Sequence, residues 1–280
     1  MHYRHSYHAG NFADVFKHVV LCGLLAALTR KDKPWCSLET HAGAGTYDLA
    51  GEGATKTGEW RDGIGALIPG DDAFPEPLNA CVRIVKEING DAVLRAYPGS
   101  PYFARAYARS GDRLVLCEKV PEVAAALRGC FPKDARIVVH QRDGYESHSL
   151  LPPSEKRGLV LVDPPFERPD EFDAVAEFLK KAQARFFGGV YAAWYPIKNR
   201  HAAGRFERRV ARESGKPVLA LRFENGAPGE GQLRACGMLI VNAPFQFEQD
   251  IEPALKVLVQ ELTQGARAAY QIETLSLDTP

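Results

Sequence analysis

The chain has 280 residues, of which 45% are hydrophobic and 25% are charged, proportions typical of a soluble globular protein. Its 35 Lys and Arg residues balance its 35 Asp and Glu residues, so any nucleic-acid-binding surface must be local. No signal-peptide pattern opens the chain, and no run reaches the about 18 apolar residues of a membrane span. The six cysteines form no C-x-x-C pair, which is typical of reduced core residues. We therefore expect a cytoplasmic protein with no membrane contact.

The first residues form an unusual polar and aromatic segment. His2, His5 and His8 are three residues apart, a spacing compatible with a metal site, a flexible arm, or an arm that covers a cofactor and substrate. Zinc needs four protein ligands, or three and a water, and no cysteine or carboxylate has convenient local spacing. We therefore expect no metal and favour the covering arm.

A long apolar helix is predicted over residues 13–29, and a first sheet strand over residues 35–40 that leads into a glycine loop. In this loop Gly43 and Gly45 follow His41, and glycine lets the backbone approach a ligand closely. The loop lacks the Gly-Lys-Ser/Thr of a nucleotide P-loop and the full G-x-G-x-x-G of a dinucleotide site. It therefore predicts binding of another cofactor.

An insertion is indicated by the distance to the next acidic residue. In a simple nucleotide-binding unit, an acid for the ribose hydroxyls follows the loop by about 20 residues. The best candidate here is Glu118, which ends a predicted strand and lies 75 residues beyond Gly43. We predict a small helical insertion subdomain over residues 48–95, and a main domain formed by residues 1–47 and 96–280.

Two further polar positions follow the insertion, and each has two interpretations. Ser100 lies before a helix predicted over residues 102–109, so it is either a helix cap or a binding residue. Asp143 and Gly144 follow a strand predicted over residues 137–139. They form either a contact to an adenine amine or an ordinary Asp-Gly turn.

The most informative stretch is the predicted strand 159–162 with the residues after it. Its residues are all apolar, which indicates a strand buried on both faces. Asp163, Pro164, Pro165 and Phe166 follow, and prolines cannot continue a sheet ladder. A carboxylate and a bare carbonyl can accept both hydrogens of a planar amine, while Phe166 can stack on a base for about 1–3 kcal/mol. We favour this interpretation over a loop whose Asp caps a helix.

Strands and helices alternate along the chain, which predicts an α/β fold with a doubly wound, mostly parallel sheet. A basic run from Lys198 to Arg212 is either a solvated helix face or a surface that contacts phosphates. The remaining predicted elements are a helix over 170–185, a strand over 189–196, a strand pair around 218–223 and 237–242, and a helix over 248–263.

Several segments together resemble one family, the RlmJ-type 23S ribosomal RNA adenine-N6 methyltransferases. The matching segments are 3–11, 13–15, 17–18, 40–45, 97–101, 163–165 and 193–196, and they occur in the family's order. The resemblance implies a Rossmann-like class I domain that uses S-adenosylmethionine (AdoMet), with helices on both sheet faces. It implies methyl transfer to the N6 amine of one adenine in naked or partly assembled 23S rRNA, with S-adenosylhomocysteine as product.

The same resemblance assigns roles to individual residues. Asp163 is the catalytic acid, which also lies against the cofactor, and Tyr3 is a substrate-side aromatic residue. Phe166 departs from the commoner tyrosine, which keeps base stacking but removes a hydroxyl. Contacts to AdoMet are implied for Lys17, His18, His41, Ser100, Glu118, Asp143 and Gly144, beside the Gly43 of the glycine loop.

Three other functions remain open at this point. They are a DNA adenine-N6 methyltransferase, a non-catalytic nucleic-acid-binding protein on a methyltransferase fold, and a metal-dependent hydrolase built on the N-terminal histidines. For the favoured function we expect 23S rRNA as the partner of a monomeric enzyme with no obligate protein partner.

Overall fold

The computed structural model describes residues 7–70, 74–90, 93–229 and 232–275. Eight strands form one central sheet, and two short strands form a separate pair. In chain order the strands are β1 (Cys36–Glu39), β2 (Thr46–Asp48), β3 (Ala96–Pro98), β4 (Arg113–Glu118), β5 (Ile137–Gln141), β6 (Gly158–Val162), β7 (Val190–Pro196), β8 (Val218–Glu224), β9 (Ala235–Val241) and β10 (Ala269–Leu275).

The sheet has the order β10-β8-β9-β7-β6-β1-β4-β5. The five strands from β7 to β5 run parallel to one another, whereas β9 is antiparallel to β7 and β8, and β10 is antiparallel to β8. All five residues of β6 are buried, as expected of a parallel strand covered on both faces. The predicted Rossmann-like, mostly parallel α/β fold is confirmed.

Nine α-helices and one 3₁₀ helix accompany the strands within the described residues. The α-helices are α1 (Phe12–Thr29), α2 (Glu52–Thr57), α3 (Ile64–Leu67), α4 (Leu78–Asn89), α5 (Ser100–Tyr107), α6 (Pro121–Cys130), α7 (Glu171–Arg185), α8 (Arg200–Glu213) and α9 (Phe247–Glu261), and the 3₁₀ helix spans Gly144–Leu150. Apolar residues of α1, α5, α6 and α9 join the hydrophobic cluster on one sheet face. Those of α7 and α8 join the cluster on the other.

The helix α1 is the centre of the first cluster. The Asn11 side chain caps it, because its oxygen accepts from the backbone N–H groups of Ala13 and Asp14 at 3.0 Å. Every residue of α1 is buried except Ala26 and Thr29, which are half-buried. Within the described part of the chain it is the one helix long and apolar enough to span a membrane, and its burial is that of a core helix.

The segment predicted as an insertion contains α2, α3 and α4 between β2 and β3, which pair antiparallel. Leu78, Cys81 and Val85 lie on one face of α4 and join the same cluster as α1. All six cysteines are free thiols, and five of them are buried. The structure thus agrees with the prediction of reduced cysteines in the core.

Two details of the sequence prediction were wrong. The helix expected from residue 102 begins at Ser100, and its N-cap is Gly99, so Ser100 does not cap it through its side chain. The final strand β10 was not predicted. Only Leu275 of this strand is fully buried. The strand β10 therefore lacks the alternation of buried and exposed residues that would distinguish it from a polar tail.

Candidate active site

The candidate site lies at the carboxyl edge of the sheet, where β1 separates β4 from β6. The chain passes from β1 to β4 on one side and later to β6 on the other, which makes this edge the topological switch point where ligands bind in open α/β sheets. The backbone N–H of Thr40 donates to the Leu161 carbonyl at 3.0 Å. This bond joins the end of β1 to β6.

Asp163 follows β6 directly and is paired with a buried lysine. The Lys17 Nζ donates to Asp163 Oδ2 at 2.6 Å and to Asp14 Oδ1 at 2.8 Å. The backbone N–H of Gly10 donates to the other Asp14 oxygen at 3.1 Å. Burial alone would lower the pKa of Lys17, but the two carboxylates outweigh it and raise that pKa. Lys17 is therefore a fixed cation that orients Asp163.

The Asp-Pro-Pro-Phe segment forms a tight tip beyond β6. Pro164 is buried, and Phe166 has a φ of 51°, which is strained for a bulky residue and typical of functional sites. The half-buried Phe166 ring makes edge contacts with Phe172 at 5.1 Å and Trp194 at 5.8 Å between ring centroids. These contacts hold the aromatic ring next to Asp163.

Glu39 at the end of β1 is a buried acid that the sequence analysis missed. It is 1% exposed, and the Ser100 Oγ donates to its Oε2 at 2.5 Å. Among the described residues its Oε1 has no partner. Burial raises the pKa of Glu39 to about 8, and the nearby Asp163 charge adds to that rise. The available signal was an acid that ends a buried strand just before the glycine loop.

The glycine loop contains two residues in the left-handed backbone region. Gly43 and Gly45 have φ values of 64° and 88°, and a Cβ on Gly43 would lie 2.2 Å from the Tyr47 hydroxyl. The Gly43 N–H donates to Glu118 Oε2 at 3.1 Å, and the Val120 N–H donates to Glu118 Oε1 at 2.9 Å. The carboxylate at the end of β4 is thus anchored beside the loop.

The turn after β5 packs on the same edge. The Asp143 carboxylate caps the 3₁₀ helix by accepting from the Tyr145 N–H at 3.0 Å, and it pairs with Lys119 at 2.8 Å. Partial burial opposes ionisation, but these two bonds lower the pKa of Asp143. A Cβ on Gly144 would lie 2.1 Å from the Thr40 carbonyl oxygen. The turn interpretation therefore holds, and the adenine contact stays a prediction.

The two predicted cofactor histidines occupy different environments. The His41 Nδ1 lies 2.7 Å from the Thr40 hydroxyl, and burial lowers its pKa to about 4 against the opposing charges of Asp163 and Asp143. His41 is therefore a neutral imidazole at the sheet edge.

His18 lies inside the protein instead of at the edge. It is 1% exposed, its ring stacks on Phe103 with centroids 4.4 Å apart, and its Nδ1 lies 2.7 Å from the Tyr97 hydroxyl. A direct contact of His18 with AdoMet stays a prediction, and its packing supports α5 behind Ser100.

His8 and Asn11, which precede α1, contact the segment predicted as an insertion. The His8 Nδ1 lies 3.0 Å from Glu59 Oε2, to which the Asn11 amide also donates at 2.9 Å. His2, His5 and the predicted substrate-side Tyr3 lie outside the described residues. Within the ranges that the structure describes, no group of three His, Cys, Asp or Glu residues could hold a metal ion.

These features together define a class of enzyme. The sheet order, the glycine loop after β1 and the acid that ends β4 are those of a class I AdoMet-dependent methyltransferase.

Comparison with known proteins gives the family. The family model described as "Ribosomal RNA large subunit methyltransferase D, RlmJ" matches residues 32–274. The chain is 38% identical over 262 residues to ribosomal RNA large subunit methyltransferase J of Escherichia coli strain K12, with 93% of each chain covered. It is 37% identical over 280 residues to the Haemophilus influenzae protein of the same name, with 98% of each covered. The chain belongs to the RlmJ family.

A solved structure agrees with this assignment. The crystal structure of a Legionella pneumophila protein is 37% identical and superposes with a TM-score of 0.88, covering 95% of this chain and 98% of that one. The similarity therefore extends over the whole fold, including the N-terminal helix and the insertion segment.

Proposed function

We propose that the protein transfers a methyl group from AdoMet to the N6 amine of one adenine in 23S rRNA. The curated relatives are named large-subunit ribosomal RNA methyltransferases, which supports the acceptor. The observation that carries the reaction type is the tip after β6, where Lys17 orients the Asp163 carboxylate and two prolines follow it in the chain. Asp163 and the Pro164 carbonyl would form the acceptor pair that an exocyclic amine requires.

The residues at the sheet edge fit AdoMet, which carries a sulfonium and an ammonium. A buried Glu39 oxygen without a partner suits a cationic ligand, and the glycine loop leaves no room for a side chain at Gly43. We assign Glu39 and the loop to the methionine part of AdoMet and Glu118 to its ribose. Asp143 and Gly144 would hold the adenine, while Ser100 orients Glu39.

AdoMet supplies a methyl group that is already electrophilic, so the protein acts mainly by orientation. Asp163 and the Pro164 carbonyl accept the two amine hydrogens, which directs the nitrogen lone pair away from the ring and toward the methyl group. Correct placement can supply about 7–11 kcal/mol at most. Asp163 then steadies the positive charge that develops on the nitrogen and takes the proton.

The target adenine must leave the RNA stack for this chemistry, as reactions on a base generally require. In the proposal it stacks on Phe166. The N-terminal arm, with Tyr3, closes over it. Residues 48–95 form the insertion subdomain that holds the arm, which the Glu59 bonds to His8 and Asn11 support. The only partner that this function needs is the rRNA of the cytoplasm.

Labelled methyl transfer from AdoMet tests the proposal. Protein-free 23S rRNA, assembled ribosomal subunits and duplex DNA are incubated separately, and the products are digested to nucleosides. We expect N6-methyladenosine in the protein-free rRNA and none in the DNA. Label in DNA would overturn the assigned acceptor, and AdoMet binding without transfer to any substrate would overturn the assigned reaction.

A further inference from the structure

A row of three arginines and one histidine lies on one exposed face of α8. It consists of His201, Arg205, Arg208 and Arg212, all of which are exposed. Their spacings of four, three and four residues place them within about 60° of one another around the helix axis. We call this set the α8 cation row. It extends over about 16 Å at the helical rise of about 1.5 Å per residue.

Within the described ranges, the arginines of this row have no acidic partner. The ion pairs of α8 are made by other residues, since Arg200 pairs with Glu224 at 2.5 Å and Arg209 pairs with Glu213 at 2.9 Å. Among the residues that the structure describes, no carboxylate lies within salt-bridge distance of Arg205, Arg208 or Arg212. The row therefore presents its charge to solvent.

The opposite face of α8 is buried and contains the acidic residue Glu207. Phe206 and Val210 are buried against the sheet. Glu207 is 5% exposed and accepts from Arg222 and the Tyr195 hydroxyl. In a chain of zero net charge, this arrangement separates a positive strip from its counter-charges. Such a strip attracts a polyanion.

The row begins beside the catalytic edge. The strand β7 leads into α8, and its Trp194 contacts Phe166 of the tip at 5.8 Å. Lys198, between β7 and α8, is exposed and lies near the N-terminal arm. The hydrogen bond to Glu59 raises the pKa of His8, and the Lys198 ammonium opposes that rise. The N-terminal end of α8, where the row begins, is thus connected to the tip through β7.

We propose that the α8 cation row binds the phosphate backbone of the rRNA strand next to the target adenine. The inference rests on the proposed function and adds the surface that this function needs. Arginine is well suited to phosphate, since its guanidinium offers a fork of hydrogen-bond donors. A base that leaves the stack also needs its flanking backbone held in register, and phosphate contacts provide that register.

The test compares two matched double variants. Arg205→Gln/Arg208→Gln removes two charges from the row, and Lys180→Gln/Lys181→Gln removes two exposed charges from the neighbouring α7. Binding of protein-free 23S rRNA is measured against salt concentration, together with AdoMet affinity and kcat at saturating RNA. We expect the slope of log K against log salt to become less negative by about 1.4 in the row variant. Its RNA affinity should fall at least about tenfold at low salt.

The control variant should keep the wild-type RNA binding and kcat, and both variants should keep the wild-type AdoMet affinity. If both variants bind RNA equally well, the proposal that the α8 cation row binds RNA is overturned. This holds both when neither variant is weakened and when the two are weakened to the same extent. That result leaves the proposed function intact when the wild type still methylates the rRNA. A wild type that neither binds nor methylates rRNA would instead overturn the proposed function, and this surface with it.

Discussion

The Lys17 ammonium lies 2.6 Å from the Asp163 carboxylate, although 146 residues separate the two in the chain. Lys17 is on α1, and Asp163 follows the central strand β6. Asp14, one helical turn before Lys17, binds the same ammonium at 2.8 Å. The helix α1 therefore fixes the orientation of the carboxylate to which we assign the catalytic role.

Replacing Lys17 with methionine should lower the free energy of unfolding of the protein and should also slow methyl transfer. Lys17→Met leaves two largely buried carboxylates without their cation, and breaking such a pair costs about 3–5 kcal/mol. Denaturant unfolding measures the loss. The double variant Lys17→Met/Asp14→Asn should recover part of it, because one uncompensated carboxylate is removed. A loss below about 1 kcal/mol for the single variant would show that solvent already screens the pair.

Glu39 should make the free protein less stable as the pH rises. Burial raises the pKa of Glu39 to about 8, so between the ordinary carboxyl pKa and 8 the folded state holds a proton that the unfolded state has lost. Stability contributed by this group therefore falls with rising pH through that window. In thermal unfolding, the stability of Glu39→Gln relative to the wild type should increase from pH 5 to pH 8. A stability difference between the two proteins that does not change with pH would contradict the raised pKa of Glu39.

The same residue predicts a proton effect in cofactor binding. If Glu39 faces the positive charge of AdoMet, binding favours its ionised form, so a proton is released near neutral pH. Calorimetry in buffers of different ionisation enthalpy measures that release. Glu39→Gln should abolish it and weaken AdoMet binding. Proton release that persists undiminished in this variant would assign the titrating group elsewhere.

Phe166 should act on the RNA and not on the cofactor. Phe166→Ala removes the stacking surface, worth about 1–3 kcal/mol per base, so kcat/KM for rRNA should fall by about tenfold or more while AdoMet affinity changes little. Phe166→Tyr keeps the ring and should remain active. A larger loss in AdoMet binding than in the RNA step would contradict the stacking role.

Local patterns predicted the parts of the site that are local in the chain. The apolar strand and its two prolines predicted the Asp163 tip, and the glycines predicted the loop beside Glu118. The sequence did not reveal that Ser100 binds Glu39, 61 residues away, because a serine before a helix resembles a cap whatever its tertiary partner. The pairing of Lys17 with Asp163 was also missed, because no local pattern links two residues that are 146 positions apart in the chain.

The central claim is that Asp163 directs methyl transfer to an adenine amine in 23S rRNA. Wild-type protein and the Asp163→Asn variant, each first shown to bind AdoMet, should be reacted with protein-free 23S rRNA and the nucleosides quantified by mass spectrometry. We expect N6-methyladenosine with the wild type and essentially none with the variant, whose cofactor affinity should largely persist. Near-normal N6-methyladenosine from the variant, or methylation of a different nucleoside by the wild type, would contradict it.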